Sequence, residues 1–293
     1  MGEDKLPTGH KMRARIRTLA DGAATGLAIL STLLVVAPLV AIFVYLLYKG
    51  ASSLSLSFFT QIPKPVGEAG GGMANAIVGS AILLGIASLI GVPVGIGGGI
   101  FLAEYGRGTK LANAIRFTAD VLNGVPSIVM GIAIYALIVV PQNHFSAFSG
   151  GVALGIMMIP TVCRTTEEML LMVPHAVREA ALALGVPNWR SVLSITVKTA
   201  SPGIITGCML AFARVAGETA PLIFTALGNS FWSTSLNQPI AALPLQIWVY
   251  AQSPYEDWHR LAWAGALVLI ALIVTAVSLV RYVTSRGVLK GAS

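Results

Sequence analysis

The chain has 293 residues, 55% of them hydrophobic and only 11% charged, with a mean hydropathy of +0.79 and a formal net charge of +7. A soluble domain carries roughly 25% charged residues, so this composition excludes an ordinary soluble protein and points to a chain that lives in lipid. The positive surplus does not indicate nucleic acid, because it is concentrated in the segments that flank apolar stretches.

Residues 1–23 are polar and basic, with Lys11, Arg13, Arg15 and Arg17 close together, and read as a cytoplasmic tail ahead of a first span. Leu27–Tyr48 is that span. It is longer than the roughly 7–15 apolar residues of a signal-peptide core and no A-x-A site follows, so it is expected to be retained. Residues 49–72 are rich in Ser, Pro and Gly and form an expected outside loop. Asn75–Ala103, the second span, holds many glycines and Pro93, which permit close helix approach and bending in membranes. Glu104–Arg116 is a short basic inside loop. Phe117–Val140 is the third span, with Asp120 paired to Arg116 at its start and a kink expected at Gly124-Val125-Pro126. Pro141–Ser149 turns outside. Gly150–Cys163 is the fourth span. It is short unless Arg164, Glu167 and Glu168 sit in the interface or in a wet cavity.

Residues 174–200 differ from the rest. Pro174 suits a helix start and Gly185 a helix stop. Between them Val177, Ala180, Ala181 and Leu184 recur at helical spacing, with His175, Arg178 and Glu179 off that face. Asn188 is a good N-cap for a second short helix carrying Trp189, Val192, Leu193 and Thr196 on one side. Each helix is far too short to cross a bilayer. Two short amphipathic helices joined by a bend make a knob suited to a groove on a partner. Ala200–Ala226 is the fifth span and contains Arg214 and Glu218. Residues 227–260 lie outside, with Trp232, Trp248, Tyr250, Tyr255 and Trp258 as a membrane-surface belt, and Pro239–Ala251 has the length of a re-entrant piece. Leu261–Val280 is the sixth span, before a tail with Arg281, Arg286 and Lys290.

With the N-terminus inside, fifteen of the 19 Lys and Arg residues fall in inside segments. Lys49, Lys64 and Arg260 fall outside, and Arg214 lies within a span. This asymmetry predicts an all-α polytopic membrane protein of six transmembrane helices with both ends in the cytoplasm, which places residues 174–200 there too. No GxxxxGK[ST] phosphate loop occurs, so any ATP hydrolysis is expected in another chain. Cys163 and Cys208 sit in apolar stretches and read as buried small residues. His10, His144, His175 and His259 show no ligand spacing, so no metal is expected.

Glu179-Ala180-Ala181, followed by Gly185 and Ile195, resembles the EAA loop of ABC-importer permeases. The family pattern continues with Leu and Pro, where this chain has Val197 and Lys198. Longer phrases resemble the phosphate-importer permeases of the PstA type: FFTQIPKPVGEAGGGMANAIVGS, FLAEYG, LNGVPSIVMGI, RTTEEML with VPHAVREAALALG, and ARVAGETAPLIFTALG. The first ~60 residues match only as a basic tail plus a span. The resemblance implies the type I ABC importer permease fold with a cytoplasmic coupling helix, and residues 73–283 as the permease core. Residues 24–72 are then the first helix and its periplasmic loop, and 284–293 a cytoplasmic tail. It further implies a sister permease in a heterodimer, two ATP-binding subunits that use ATP and Mg, an extracytoplasmic phosphate-binding protein, and phosphate as the transported substrate. The membrane is then the cytoplasmic membrane of a prokaryote. Glu179, Ala180, Ala181 and Gly185 are the expected ATPase-coupling residues.

Intramembrane charges are costly and face a cavity or a partner. Arg214 and Glu218 are four apart, on roughly one helix face. They are either a structural ion pair or part of a translocation path, for which a guanidinium fork suits a tetrahedral oxyanion. Arg164 and Glu167 either snorkel to the interface or line a gate. Three other functions compete with the phosphate permease: an importer permease for another small solute, a self-sufficient secondary transporter or channel, and an intramembrane enzyme. Paired broken helices in an internal repeat would mark the secondary transporter, and no convincing repeat is found. No catalytic set of side chains converges on the spans.

Overall fold

The computed structural model describes residues 8–65, 68 and 70–290, and the side chains of residues 17–65, 68 and 70–284. The side chains of Lys11, Arg13, Arg15, Arg286 and Lys290 therefore lie outside the described residues, as does Val66 of the outside loop. Among the described residues the chain is helical apart from turns and one isolated bridge between Leu227 and Ile240.

Eleven helical elements follow in order. They are α1 (Thr8–Ser53), α2 (Leu56–Thr60), α3 (Ala74–Tyr105, its last turn π-helical), α4 (Lys110–Gly124) and α5 (Ser127–Gln142). Then come α6 (Ala147–Leu171), α7 (His175–Ala183), α8 (Asn188–Ala216), α9 (Ala220–Thr225), α10 (Leu243–Ala251) and α11 (Glu256–Lys290). Five of these, α1, α3, α6, α8 and α11, hold stretches long and apolar enough to cross a bilayer. The sixth candidate is the pair α4 and α5.

That pair holds the kink expected at Gly124-Val125-Pro126, as a sharp break. Its halves are bent by 108°. The cause is local: Pro126 has no N–H to donate and drives Val125 into extended backbone at φ −70°, ψ 131°. α4 begins under a Thr109 cap whose hydroxyl accepts from the Ala112 N–H at 3.2 Å. α5 is then about 24 Å long at 1.5 Å per residue, just enough to cross most of a hydrocarbon core.

The fifth span is also shifted. Asn188 does not cap a separate short helix. Pro187 holds the cap position, and the helix runs on through a π-helical turn, Val192–Thr196, into the membrane stretch that ends at Ala216. Gly217, Glu218 and Thr219 then break it before α9.

The core sits between α3 and α6, with α8 laid against both. Gly91, Gly95 and Gly99, one helical turn apart, form the seam. A methyl on Gly91 would lie 2.6 Å from Cβ of Met158, and one on Gly95 2.6 Å from Cβ of Val162. Only glycine lets the two backbones come this close. A second core closes the far end of the bundle. There Phe58, Met73, Leu243 and Tyr250 are buried together, and the Leu243 N–H donates to Ser80 Oγ at 2.8 Å. Tyr250 is only 2% exposed and stacks on Trp258 at 4.6 Å. Tyr250 is thus packed inside the fold, and half-buried Trp258 lies against it. Trp232, Trp248 and Tyr255 are exposed.

α1 packs on α11 through Tyr45 against Trp263 and through Gly50 against Leu267. Most of its other apolar side chains, from Leu27 to Val44, are exposed. That much apolar surface needs lipid or another chain beside it.

Candidate functional site

The residues singled out in the sequence fall into three separate groups. The first is the knob. α7 ends as predicted at Gly185, whose φ is +77°. The Gly185 N–H donates to the Leu182 carbonyl at 2.9 Å and the Val186 N–H to the Ala181 carbonyl at 3.2 Å. This double bond pattern is a Schellman cap, and the left-handed residue it requires is best supplied by glycine. Ala181 is buried and Val177 half-buried, so they form the inner face. Ala180 and Leu184 do not join them, contrary to the periodicity. Leu184 is 84% exposed and Trp189 60% exposed. Glu179 is exposed, as expected. The knob thus presents Leu182, Leu184, Trp189 and Leu193 outward beside Glu179 and Arg190. An apolar tip with a charged rim is a partner surface.

The second group is an ionic cluster at the same end of the bundle. Glu167, nearly buried on α6, accepts from Arg116 Nε at 2.7 Å and from Arg164 Nη1 at 3.1 Å. Arg164 also reaches Asp120, Nε to Oδ1 at 3.1 Å. Asn123 accepts from the Thr161 hydroxyl at 3.2 Å. Arg116, Asp120 and Asn123 share one face of α4 and meet Glu167, Arg164 and Thr161 at matching steps along α6. The pair expected between Arg116 and Asp120 from their spacing does not form; each crosses to α6. Glu167 does not snorkel to an interface. It is the shared counter-ion of two guanidiniums, and with Asp120 the four charges sum to zero, which offsets the cost of burying Glu167. Glu168 is exposed and takes no part.

The third group is Arg214 and Glu218, which the geometry separates. Arg214 lies in the last turn of α8 and Glu218 beyond its end. Among the described residues they form no ion pair. Glu218 is half-buried in a small crevice with Ser80, Leu154, Val215 and Leu222. Arg214 is exposed on the bundle surface. A guanidinium presented outward from an apolar helix faces water, a substrate path or another chain.

Reasoning from sequence missed one further pair. Arg178 of α7 and Glu104 of the π turn ending α3 form an ion pair at 2.8 Å, with side chains 13% and 8% exposed. The 74-residue separation left no local signal. Among the described residues no cluster of His, Cys, Asp or Glu could hold a metal ion.

Residues 95–287 match the family described as "Binding-protein-dependent transport system inner membrane component". The "Phosphate transport system permease protein PstA" of Yersinia pestis is 49% identical over 238 residues, covering 81% of this chain and 81% of its own length. The protein of the same description from Haemophilus influenzae is 43% identical over 274 residues, covering 94% of this chain and 96% of its own. Among solved structures, a chain of the inward-facing MetNI methionine ABC transporter superposes with a TM-score of 0.55 at 18% identity, over 75% of this chain and 97% of that one. At that identity the likeness is one of fold.

Proposed function

Because this chain belongs to the PstA-type phosphate transport permeases, within the family of binding-protein-dependent transport inner-membrane components, we propose that it forms half of the translocation path of an ATP-driven inorganic phosphate importer. Its fold is the type I ABC importer permease fold. The observation that carries the coupling role is the knob: an apolar tip fixed by a Gly185 cap and held at one end of a membrane bundle, with Leu184 and Trp189 uncovered. Glu179 and Ala180 dock it into one ATP-binding subunit, with Ala181 seating the helix on the bundle and Gly185 closing it, and the sister permease docks into the second.

ATP and Mg are used by those subunits, and this chain supplies no catalytic residue. An extracytoplasmic phosphate-binding protein delivers the anion. Both termini and the knob lie in the cytoplasm, which the fifteen-to-three distribution of Lys and Arg supports. The bend within the α4–α5 pair keeps this parity if α5 crosses and α4 lies at the interface. The exposed guanidinium of Arg214 faces the path shared with the sister permease, where a fork suits a tetrahedral anion. Glu218 orients that end of α8, and the Arg164–Glu167 cluster closes the cytoplasmic end of the path.

The test is reconstitution into proteoliposomes with the sister permease, the ATP-binding subunits and the binding protein. Uptake of labelled phosphate is followed with and without internal ATP. ATP-dependent uptake of phosphate supports the proposal. Uptake without ATP would indicate a secondary transporter or channel. ATP-dependent uptake of another solute in place of phosphate would leave the coupling role and remove the substrate.

A further inference from the structure

α7 has little of its own to hold it in place. Ala181 is its single buried residue. The chain joins it to α6 through the short turn Met172-Val173-Pro174, and to α8 through the bend at Gly185. A helix tethered this way would swivel, and a push on the knob would be lost in the turn. The α3–α6 pair is the opposite case. Its glycine seam leaves no room for sliding, so it moves as one piece.

One polar side chain connects the two, beside the apolar contact that half-buried Val177 makes with the core. The Arg178 guanidinium donates from Nε and Nη2 to Glu104 Oε1 at 3.2 and 2.8 Å. The same group donates from Nη2 to the Leu170 carbonyl at 2.6 Å and from Nη1 to the Val173 carbonyl at 2.7 Å. Glu104 sits in the π turn that ends α3; Leu170 and Val173 carry carbonyls at the end of α6. Leu170 lies in the last turn of α6, where its carbonyl also accepts from the Val173 N–H at 3.2 Å, and Val173 lies just beyond that helix. The C-terminal end of α6 carries the negative end of the helix dipole, so a cation there is favoured. A single planar fork on α7 thus grips the ends of both helices of the rigid pair. Burial protects it from the screening that makes surface pairs weak. The π turn holding Glu104 closes with a 2.6 Å bond from the Gly106 N–H to the Phe101 carbonyl, a wide turn of the kind often found at functional positions.

We propose that Arg178, with Glu104, is the joint that makes the coupling helix and the α3–α6 pair move as one body. It is a positioning residue: it touches neither nucleotide nor substrate. The inference rests on the coupling role given above to α7, and it deepens that role by naming the linkage. Lysine cannot replace the fork, because one ammonium cannot serve the carboxylate and both carbonyls from the position of three nitrogens.

Two measurements test it. In the reconstituted complex, ATP hydrolysis and phosphate uptake are measured on the same vesicles for wild type, Arg178→Lys and Glu104→Gln. With the joint loosened, hydrolysis continues while phosphate imported per ATP falls at least about fivefold, the lower end of ordinary coupling between sites. Glu104→Gln keeps an acceptor and the two carbonyl bonds, so it assembles and gives a smaller loss. A purely structural role would lower hydrolysis and uptake in proportion, leaving the ratio at the wild-type value, and that result would overturn the proposal. The second measurement does not depend on the substrate. Spin labels at Ala183→Cys and Tyr105→Cys, in a chain with Cys163 and Cys208 replaced by alanine, report the distance between α7 and the end of α3. It should be the same in the nucleotide-free and ATP-trapped complex, and should change between those states once Arg178→Lys is added. If the distance changes in wild type, the two elements are not one body and the inference is wrong. If it is constant while the complex imports no phosphate, the substrate assignment fails and the joint stands.

Discussion

The glycine seam makes a prediction with opposite signs two residues apart. Gly95 faces α6, and the methyl of Gly95→Ala would fall 2.6 Å from Cβ and 2.7 Å from Cγ1 of Val162, and 3.1 Å from the Ile159 carbonyl oxygen. Carbon atoms sit comfortably at about 3.5–4.0 Å, so the helices must separate by about 1 Å or the methyl must be forced in. Gly91 and Gly99 lie on the same seam, so a local tilt only moves the strain along it. Overpacking of this kind costs about 1–3 kcal/mol. Gly97 is on the same helix with nothing within 4 Å of its missing Cβ. There Gly97→Ala only removes the glycine entropy penalty and should stabilise by about 0.5–1 kcal/mol. The pair therefore differs by about 1.5–4 kcal/mol for one identical chemical change. The thermal inactivation midpoint of the purified complex, measured in one detergent, ranks the two. Gly97→Ala should sit at or above wild type and Gly95→Ala clearly below it. Equal midpoints would refute the close approach of α3 to α6.

Other outcomes follow from the remaining sites. Glu167→Gln keeps the shape but removes the charge shared by Arg116 and Arg164, and should cost about 1.5–3 kcal/mol as a lost charged hydrogen-bond centre; an unchanged inactivation midpoint would show that the cluster adds no stability. Gly185→Val places a β-branched residue at φ +77°, so the knob should lose its cap, with membrane insertion intact and co-purification with the ATP-binding subunit reduced. Survival of both co-purification and transport would mean that the knob is not the docking element. Arg214→Gln combined with Glu218→Gln should abolish phosphate uptake in an assembled complex, and Arg214→Lys should retain part of it if charge alone suffices. Wild-type uptake in the double variant would remove Arg214 from the path.

How far the sequence carried depended on the range of each constraint. Gly185 was legible because a left-handed cap is a one-residue requirement written at that residue. The knob was legible because it interrupts apolar text. Close approach along α3 could be expected from its glycines, but Met158, Val162 and Thr166 as their neighbours could not, since α6 lies more than fifty positions away. The kink at Gly124-Val125-Pro126 was visible while its 108° angle was not, because Pro126 fixes where the chain leaves the helix and not the direction in which α5 departs. The spacing of Arg214 and Glu218 misled because it assumed a continuous helix. Gly217, with Pro221 four residues on, was the available signal of a break. The inner face of α7 was misread because four small or apolar residues fit the period while the fold had room to bury only Ala181 and half of Val177. The pairing of Arg178 with Glu104 left nothing to read, since two charges in separate loops look like solvated charges until a fold brings them together.

The central claim is that this chain converts ATP hydrolysis by partner subunits into phosphate import. It is tested most directly by labelled phosphate uptake into proteoliposomes holding the complete complex, compared with the same complex in which only this chain carries Gly185→Val. The account predicts ATP-dependent uptake in the first and its loss in the second, with the mutant chain still in the membrane. Phosphate uptake that proceeds without ATP, or that is indifferent to Gly185→Val, would contradict it.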